Sequence, residues 1–134
     1  MLMASNVKPP QTGKNHNFWQ SFKHAWTGLR FTFQHEQNFK FHVLIGLLVI
    51  IFSAVIQVNT TEWLWLIGVI FIVLIAELWN TAVEYIVDLL VAKQYDPLAK
   101  HIKDVSAAIV LVAAALAVIV GLIIFIPYFW QLLF

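Results

Sequence analysis

The feature that most constrains this chain is a set of long stretches from which charge vanishes. Phe41 to Thr61 contains no Asp, Glu, Lys or Arg, and its apolar core runs from Val43 to Val58. Val105 to Ile126 is equally free of charge. Roughly 20 apolar residues in a helix cross the ~30 Å hydrocarbon layer of a bilayer. A chain of 134 residues that is 61% hydrophobic and 11% charged cannot hide this much apolar surface in one small interior. The excess must face lipid. This excludes most soluble enzyme folds and a disordered chain. With no cysteine, disulfides, thiolate metal sites and thiol nucleophiles are excluded as well. A net charge of +1 points to no nucleic-acid partner.

The expected architecture is an all-α membrane protein, with one amphipathic surface helix and three transmembrane helices. Residues 1–15 are polar, carry Pro9, Pro10 and Gly13, and read as a loose tail without the apolar core of a secretory signal. Residues 16–134 read as one domain. Over 16–36, Phe18, Phe22, Ala25, Trp26, Leu29 and Phe33 recur at steps of three or four, with Lys23, His24, Thr27, Arg30 and Gln34 between them. That spacing predicts an amphipathic helix, and beside membrane spans its expected seat is the membrane surface. The spans are predicted at about 41–61, 63–92 and 105–126. A polar turn at Gln57, Asn59, Thr60 and Thr61 joins the first two, and a polar loop, Lys93 to Lys103, joins the last two. Trp63, Trp65, Tyr128 and Trp130 suit interfacial aromatic belts. Ala113, Ala117 and Gly121, spaced by four, would allow close helix contact.

The basic residues orient the chain. Lys8, Lys14, Lys23, Arg30 and Lys40 precede the first span, and Lys93, Lys100 and Lys103 lie between the second and third. The positive-inside rule puts both groups in the cytoplasm, and with them the N-terminus.

The second span carries Glu77, Asn80, Glu84 and Asp88 in its latter half. Ionisable groups in a span are costly and usually mark function. At ~100° per residue, Glu84 and Asp88 fall about 20° to either side of Glu77, so these groups form a polar column on one helix face. With Trp63 at the outer boundary and a rise of ~1.5 Å per residue, Glu77 is ~21 Å across and still within the hydrocarbon. Glu84 reaches the cytoplasmic boundary at ~31 Å, and Asp88 lies just beyond. A buried acid at Glu77 suits a general base. Glu36 and the Lys103–Asp104 pair are predicted at the same boundary. Glu36 and Glu84 are suitable oxygen ligands for Mg²⁺ bound together with substrate phosphates, and a lysine suits phosphate charge. The chain has no Walker glycine loop, so a phosphate site would have to be built from side chains.

The run Glu77-Leu-Trp-Asn80-Thr81-Ala82-Val83-Glu84-Tyr-Ile-Val-Asp88 resembles the signature of the small prokaryotic lipid kinases, the diacylglycerol kinase and undecaprenol kinase family. Lys103-Asp104 followed by Ser106-Ala107-Ala108 is similar to that family's second motif, and Trp26-Thr-Gly28-Leu-Arg30 and His35-Glu36-Gln-Asn38-Phe39 to its N-terminal region. The resemblance implies transfer of the γ-phosphoryl group of ATP to a lipid hydroxyl with Mg²⁺, in a bacterial plasma membrane, by a homotrimer whose neighbouring subunits share active sites. It implies that Glu77 takes the proton from the lipid hydroxyl and that Asn80 positions the reacting groups. Glu36 and Glu84 would hold Mg²⁺ on the nucleotide phosphates. Lys103 and Asp104 would contact the nucleotide, with Asp88, Gln94, Tyr95 and Asp96 near it. His42 stands where many diacylglycerol kinases have a second carboxylate, and in this resembles the undecaprenol kinase branch of Gram-positive bacteria. Asn17 aligns with the family's early nucleotide-contacting arginine, for which Lys14 or Lys23 would have to substitute.

The implied activity is therefore phosphorylation of undecaprenol, with diacylglycerol as the alternative acceptor. A rival of another class is a non-enzymatic oligomer whose acidic column conducts ions or protons. His35 and His42 lie seven apart and could share a helix face, where interfacial hydrogen bonding suits them better than metal ligation.

Overall fold

A computed structural model describes residues 17–133; the tail 1–15 and its Lys8 and Lys14 lie outside the described residues. Four helices account for nearly all of the described chain: α1 (Phe18–His35), α2 (Gln37–Val55), α3 (Thr60–Leu90) and α4 (Pro97–Leu133). The chain divides into two compact units, Met1–Phe31 and Thr32–Phe134. In the first, α1 begins under an Asn17 cap, whose side-chain oxygen accepts from Gln20 N–H at 2.9 Å. Asn17 therefore caps the start of α1. Phe18, Trp19, Phe22 and Trp26 of α1 are all exposed.

The second unit holds the three helices that are long and apolar enough to cross a membrane. α2 starts directly after Glu36, whose extended backbone (φ −99°, ψ 115°) separates it from α1. It ends six residues before the predicted end of the first span. Gln57 turns the chain with φ 57°, a left-handed conformation that a helix cannot continue through. α3 begins three residues earlier than predicted. Asn59 and Glu62 form a reciprocal capping box: the Asn59 side chain accepts from Glu62 N–H at 3.0 Å, and Glu62 accepts from Asn59 N–H at 2.8 Å. Thr60 and Thr61, expected in the turn, thus open the helix. The Tyr128 hydroxyl donates to Glu62 at 2.6 Å, which ties this end of α3 to the far end of α4.

Ala92 (φ 49°) and Lys93 (φ 60°) are both left-handed and turn the chain sharply after α3. α4 begins at Pro97, so Lys100 and Lys103, expected in a loop, are helical. Proline at the first helical position lacks only an N–H that has no partner there, and the Asp96 side chain accepts from Ala99 N–H at 2.8 Å. α4 also continues through Pro127, where the third span was expected to end. The missing proline N–H removes one internal helical bond there without stopping the helix.

α3 packs against both other spans, and more extensively against α4 than α2. Ala113 is buried against Val73 and Ala76, with Ala117 packed beside them. These residues of the predicted small-residue stripe do face α3. At the opposite end Leu66, Val58 and Ile124 form a second cluster, and Phe52 of α2 meets Phe125 of α4 edge to face at 5.2 Å. Between α2 and α3 the close approach is at Gly46, where a β-carbon would stand 3.0 Å from Ile70 Cγ2. Most large apolar side chains of the three spans remain exposed, as a lipid environment requires. Asn59→Ala is expected to cost about 1 kcal/mol, measured as a shift in unfolding of the detergent-solubilised protein, because it removes one arm of the capping box.

Candidate functional site

The polar column of α3 lies at the level where α2 begins. Glu77, Asn80 and Thr81 are buried, and Glu84 and Asp88 are half-buried. Each acid of the cluster is held by a specific donor. His42, on the first turns of α2, brings its Nε2 to 3.2 Å from Glu77 Oε1. The Asn80 amide donates to Glu84 Oε1 at 2.9 Å, one helical turn along α3. The Tyr85 hydroxyl donates to Glu36 Oε1 at 2.9 Å. Glu36 sits at the N-cap of α2, yet its side chain makes no capping bond and reaches across to α3. The positive end of the α2 dipole still favours an acid at that position.

Three carboxylates are thereby gathered around one stretch of α3. Their donors are an imidazole, an amide and a phenol, none of them a lysine or arginine. The cluster also has an acceptor to spare, since Asn80 Oδ1 is buried with no hydrogen-bond partner. A buried oxygen left in this state costs about 1–3 kcal/mol and calls for a donor or a cation. Among the described residues no group of three or more His, Cys, Asp or Glu side chains could hold a metal by themselves. A pair of carboxylates does suit Mg²⁺ that completes its shell with phosphate oxygens and water. The donor set therefore fits a metal that arrives with a nucleotide.

One turn beyond Glu84, the column opens into a polar pocket of about 300 Å³ between the end of α3 and the start of α4. Asp88, Gln94, Tyr95, Asp96, Lys103 and Asp104 all line it, so the six outer site residues expected from sequence converge on one cavity. Lys103 Nζ donates to Asp88 Oδ1 at 2.8 Å, and Lys100 pairs with Asp104 along α4. These pairs are about one-third and more than half exposed, so each contributes little to stability. Their lysines can exchange a carboxylate for a phosphate at small cost.

On the other side, His42 lies on the lip of an apolar groove of about 500 Å³. The groove is lined by all three spans and includes Gly46, Val69, Val73, Ala117 and Phe125. Glu77, only 3% exposed, lies against His42, which lines this groove. Sequence reasoning left His42, Tyr85 and Lys100 out of the site. His42 was legible in part: with Gly46 and Val49 it keeps the i, i+4, i+7 spacing of one helix face. Tyr85 had no such signal, because it lies about 80° from the centre of the acidic face and meets Glu36 only through tertiary packing.

Comparison with known proteins gives a consistent picture. The family profile described as Prokaryotic diacylglycerol kinase matches residues 23–125. The chain is 39% identical over 110 residues to an undecaprenol kinase of Bacillus subtilis (strain 168), covering 82% of this chain and 89% of that protein. It is 39% identical over 112 residues to a diacylglycerol kinase of Synechocystis sp., covering 78% of this chain and 64% of that longer protein. To a diacylglycerol kinase of Escherichia coli (strain K12) it is 31% identical over 96 residues, covering 72% and 78% respectively.

Proposed function

The chain belongs to the prokaryotic diacylglycerol kinase family, and from that premise we propose that it phosphorylates undecaprenol, a membrane lipid alcohol, with ATP and Mg²⁺. The observation that carries this reading is the placing of three donor-held carboxylates between an apolar groove and a lysine-bearing polar pocket. A hydrocarbon chain suits the first cavity and a nucleotide the second. The phosphoryl group would pass between them at the acidic cluster.

In this mechanism Glu77 accepts the proton of the lipid hydroxyl as its oxygen bonds to the γ-phosphorus, while the bond from that phosphorus to ADP breaks. Burial suits Glu77 to the task, since water is kept from competing for either the proton or the phosphoryl group. Asn80, with one amide group on Glu84 and its Oδ1 unfilled, orients the reacting oxygens. Glu36 and Glu84 would hold Mg²⁺, which when bound neutralises phosphate charge. Lys103 and Asp104 contact the nucleotide, with Asp88, Gln94, Tyr95 and Asp96 around it. Chemistry of this kind depends mainly on positioning and charge neutralisation, and needs little covalent help from the protein.

The chain is a membrane protein, and its proposed place is a bacterial plasma membrane with the N-terminus in the cytoplasm. The supporting fact is that every Lys and Arg lies at or before Lys40, in the first turn of α2, or between Lys93 and Lys103, from the end of α3 to the first turns of α4. The exposed aromatics of α1, interleaved with Lys23 and Arg30, suit it to the membrane surface. A homotrimer with shared sites remains part of the proposal, supported by the exposed apolar faces that α2, α3 and α4 offer to other helices. The ion-path alternative is not favoured, because the similar proteins are kinases.

The deciding experiment is a mixed-micelle assay with labelled ATP and Mg²⁺, offering undecaprenol and diacylglycerol side by side. Faster labelling of undecaprenol is expected. Preference for diacylglycerol would move the reading to the other acceptor, and no lipid-dependent turnover with either would overturn it. Glu77→Gln is expected to lower turnover by at least ~10² while ATP binding persists, the scale of a lost general base. Glu84→Gln is expected to weaken binding of Mg²⁺-ATP, measured by titration calorimetry in detergent, and unchanged affinity would remove Glu84 from the metal site.

A further inference from the structure

We propose that His42 is a positioning residue for the base, holding one oxygen of Glu77 so that the other meets the lipid hydroxyl. The inference rests on the reading of Glu77 as that base.

Three observations place His42 in this role. Its Nε2 stands 3.2 Å from Glu77 Oε1, which leaves Oε2 as the oxygen to receive the proton. The Glu77 side chain is only 4% exposed, so its conformation is set by protein contacts and not by water. His42 also lines the apolar groove, which puts the same imidazole beside the path of the hydrocarbon chain.

The local build of α2 supports the contact. One turn beyond His42, Gly46 lets α2 approach so closely that any β-carbon there would stand 3.0 Å from Ile70 on α3. That approach brings the imidazole within reach of an acid on the facing helix. The Phe41 ring meets the His42 ring edge to face at 5.7 Å and restricts its rotation. A carboxylate deprived of this partner would spread over several rotamers, and a 1 Å misplacement costs as much as 10²-fold in rate. Nucleotide binding would be spared, because Glu36 and Glu84, proposed to hold its metal, are bonded to Tyr85 and Asn80 and not to His42, and its other proposed contacts lie beyond Glu84.

The test uses the full chain in mixed micelles, with kcat and KM measured for Mg²⁺-ATP and undecaprenol. His42→Phe keeps a ring and removes the N–H; His42→Gln restores a side-chain N–H donor. His42→Phe is expected to lower kcat about tenfold with KM for Mg²⁺-ATP changed less than about twofold. His42→Gln should recover most of that loss. Combining His42→Phe with Glu77→Gln should give the kcat of Glu77→Gln alone, since a residue acting only through Glu77 has nothing further to lose. Unfolding curves and gel-filtration profiles establish that each variant is folded, and His42→Leu takes the place of His42→Phe if the latter is not. Full kcat in the variant lacking the N–H, no recovery in His42→Gln, or a further equal drop in the double variant would each overturn the proposal. A wild-type chain inactive on every lipid alcohol would instead overturn the proposed function beneath it.

Discussion

A carboxylate on an apolar helix must find a donor, because the surroundings offer too little water to satisfy it. The centre of this protein is organised around that requirement. Glu36, Glu77 and Glu84 lie near one another on two helices, and each has one oxygen held by a separate donor: Tyr85, His42 and Asn80. No lysine or arginine neutralises any of these three within hydrogen-bonding distance among the described residues. The cluster therefore keeps oxygens that no lysine or arginine occupies. Such a set is poorly suited to be mere structural glue and well suited to receive a cation that accompanies phosphates.

The rest of the architecture serves to present this cluster to two unlike environments. α3, at 31 residues and about 46 Å, is longer than the hydrocarbon layer is thick. Its apolar portion packs on α4 through Val73, Ala76 and Ala113, and its acidic portion continues to Asp88 beside Lys103. The same helix thus contributes to an apolar groove at one level and to a polar pocket at another. The proposed phosphoryl transfer makes use of that arrangement. The two substrates differ so much in polarity that no single uniform cavity would hold both.

The close contacts that fix the cluster are made by small residues. Gly46 lets α2 lie against Ile70, and the alanines of α4 let it lie against α3. In a bilayer such close packing replaces the hydrophobic effect as the force between helices. The precision of the His42–Glu77 contact therefore follows from residues that carry no chemistry of their own.

Much of this was legible in the residues alone, and for identifiable reasons. Hydrophobic length announced the three helices able to cross a membrane, because spanning lipid demands long uncharged runs. The spacing of Glu77, Asn80, Glu84 and Asp88 announced the column, because a helix repeats every 3.6 residues and brings such positions to one face. Family resemblance, and not physics, groups Asp88, Gln94, Tyr95, Asp96, Lys103 and Asp104 around a nucleotide; the fold brings these six side chains to one pocket. Helix ends were read less well. The Asn59–Glu62 capping box falls where the hydropathy pattern predicts a turn, and Pro97 begins a helix where that pattern predicts a loop. Local hydrogen bonds settle such boundaries, and they involve too few residues to dominate a hydropathy pattern. What only the tertiary structure decided is which donor holds which acid across helices. Tyr85 reaches Glu36 from 49 positions away, and His42 reaches Glu77 from the facing helix. Sequence periodicity orders side chains within one helix, but the meeting of two helices depends on their separation and rotation, which the packed small residues set.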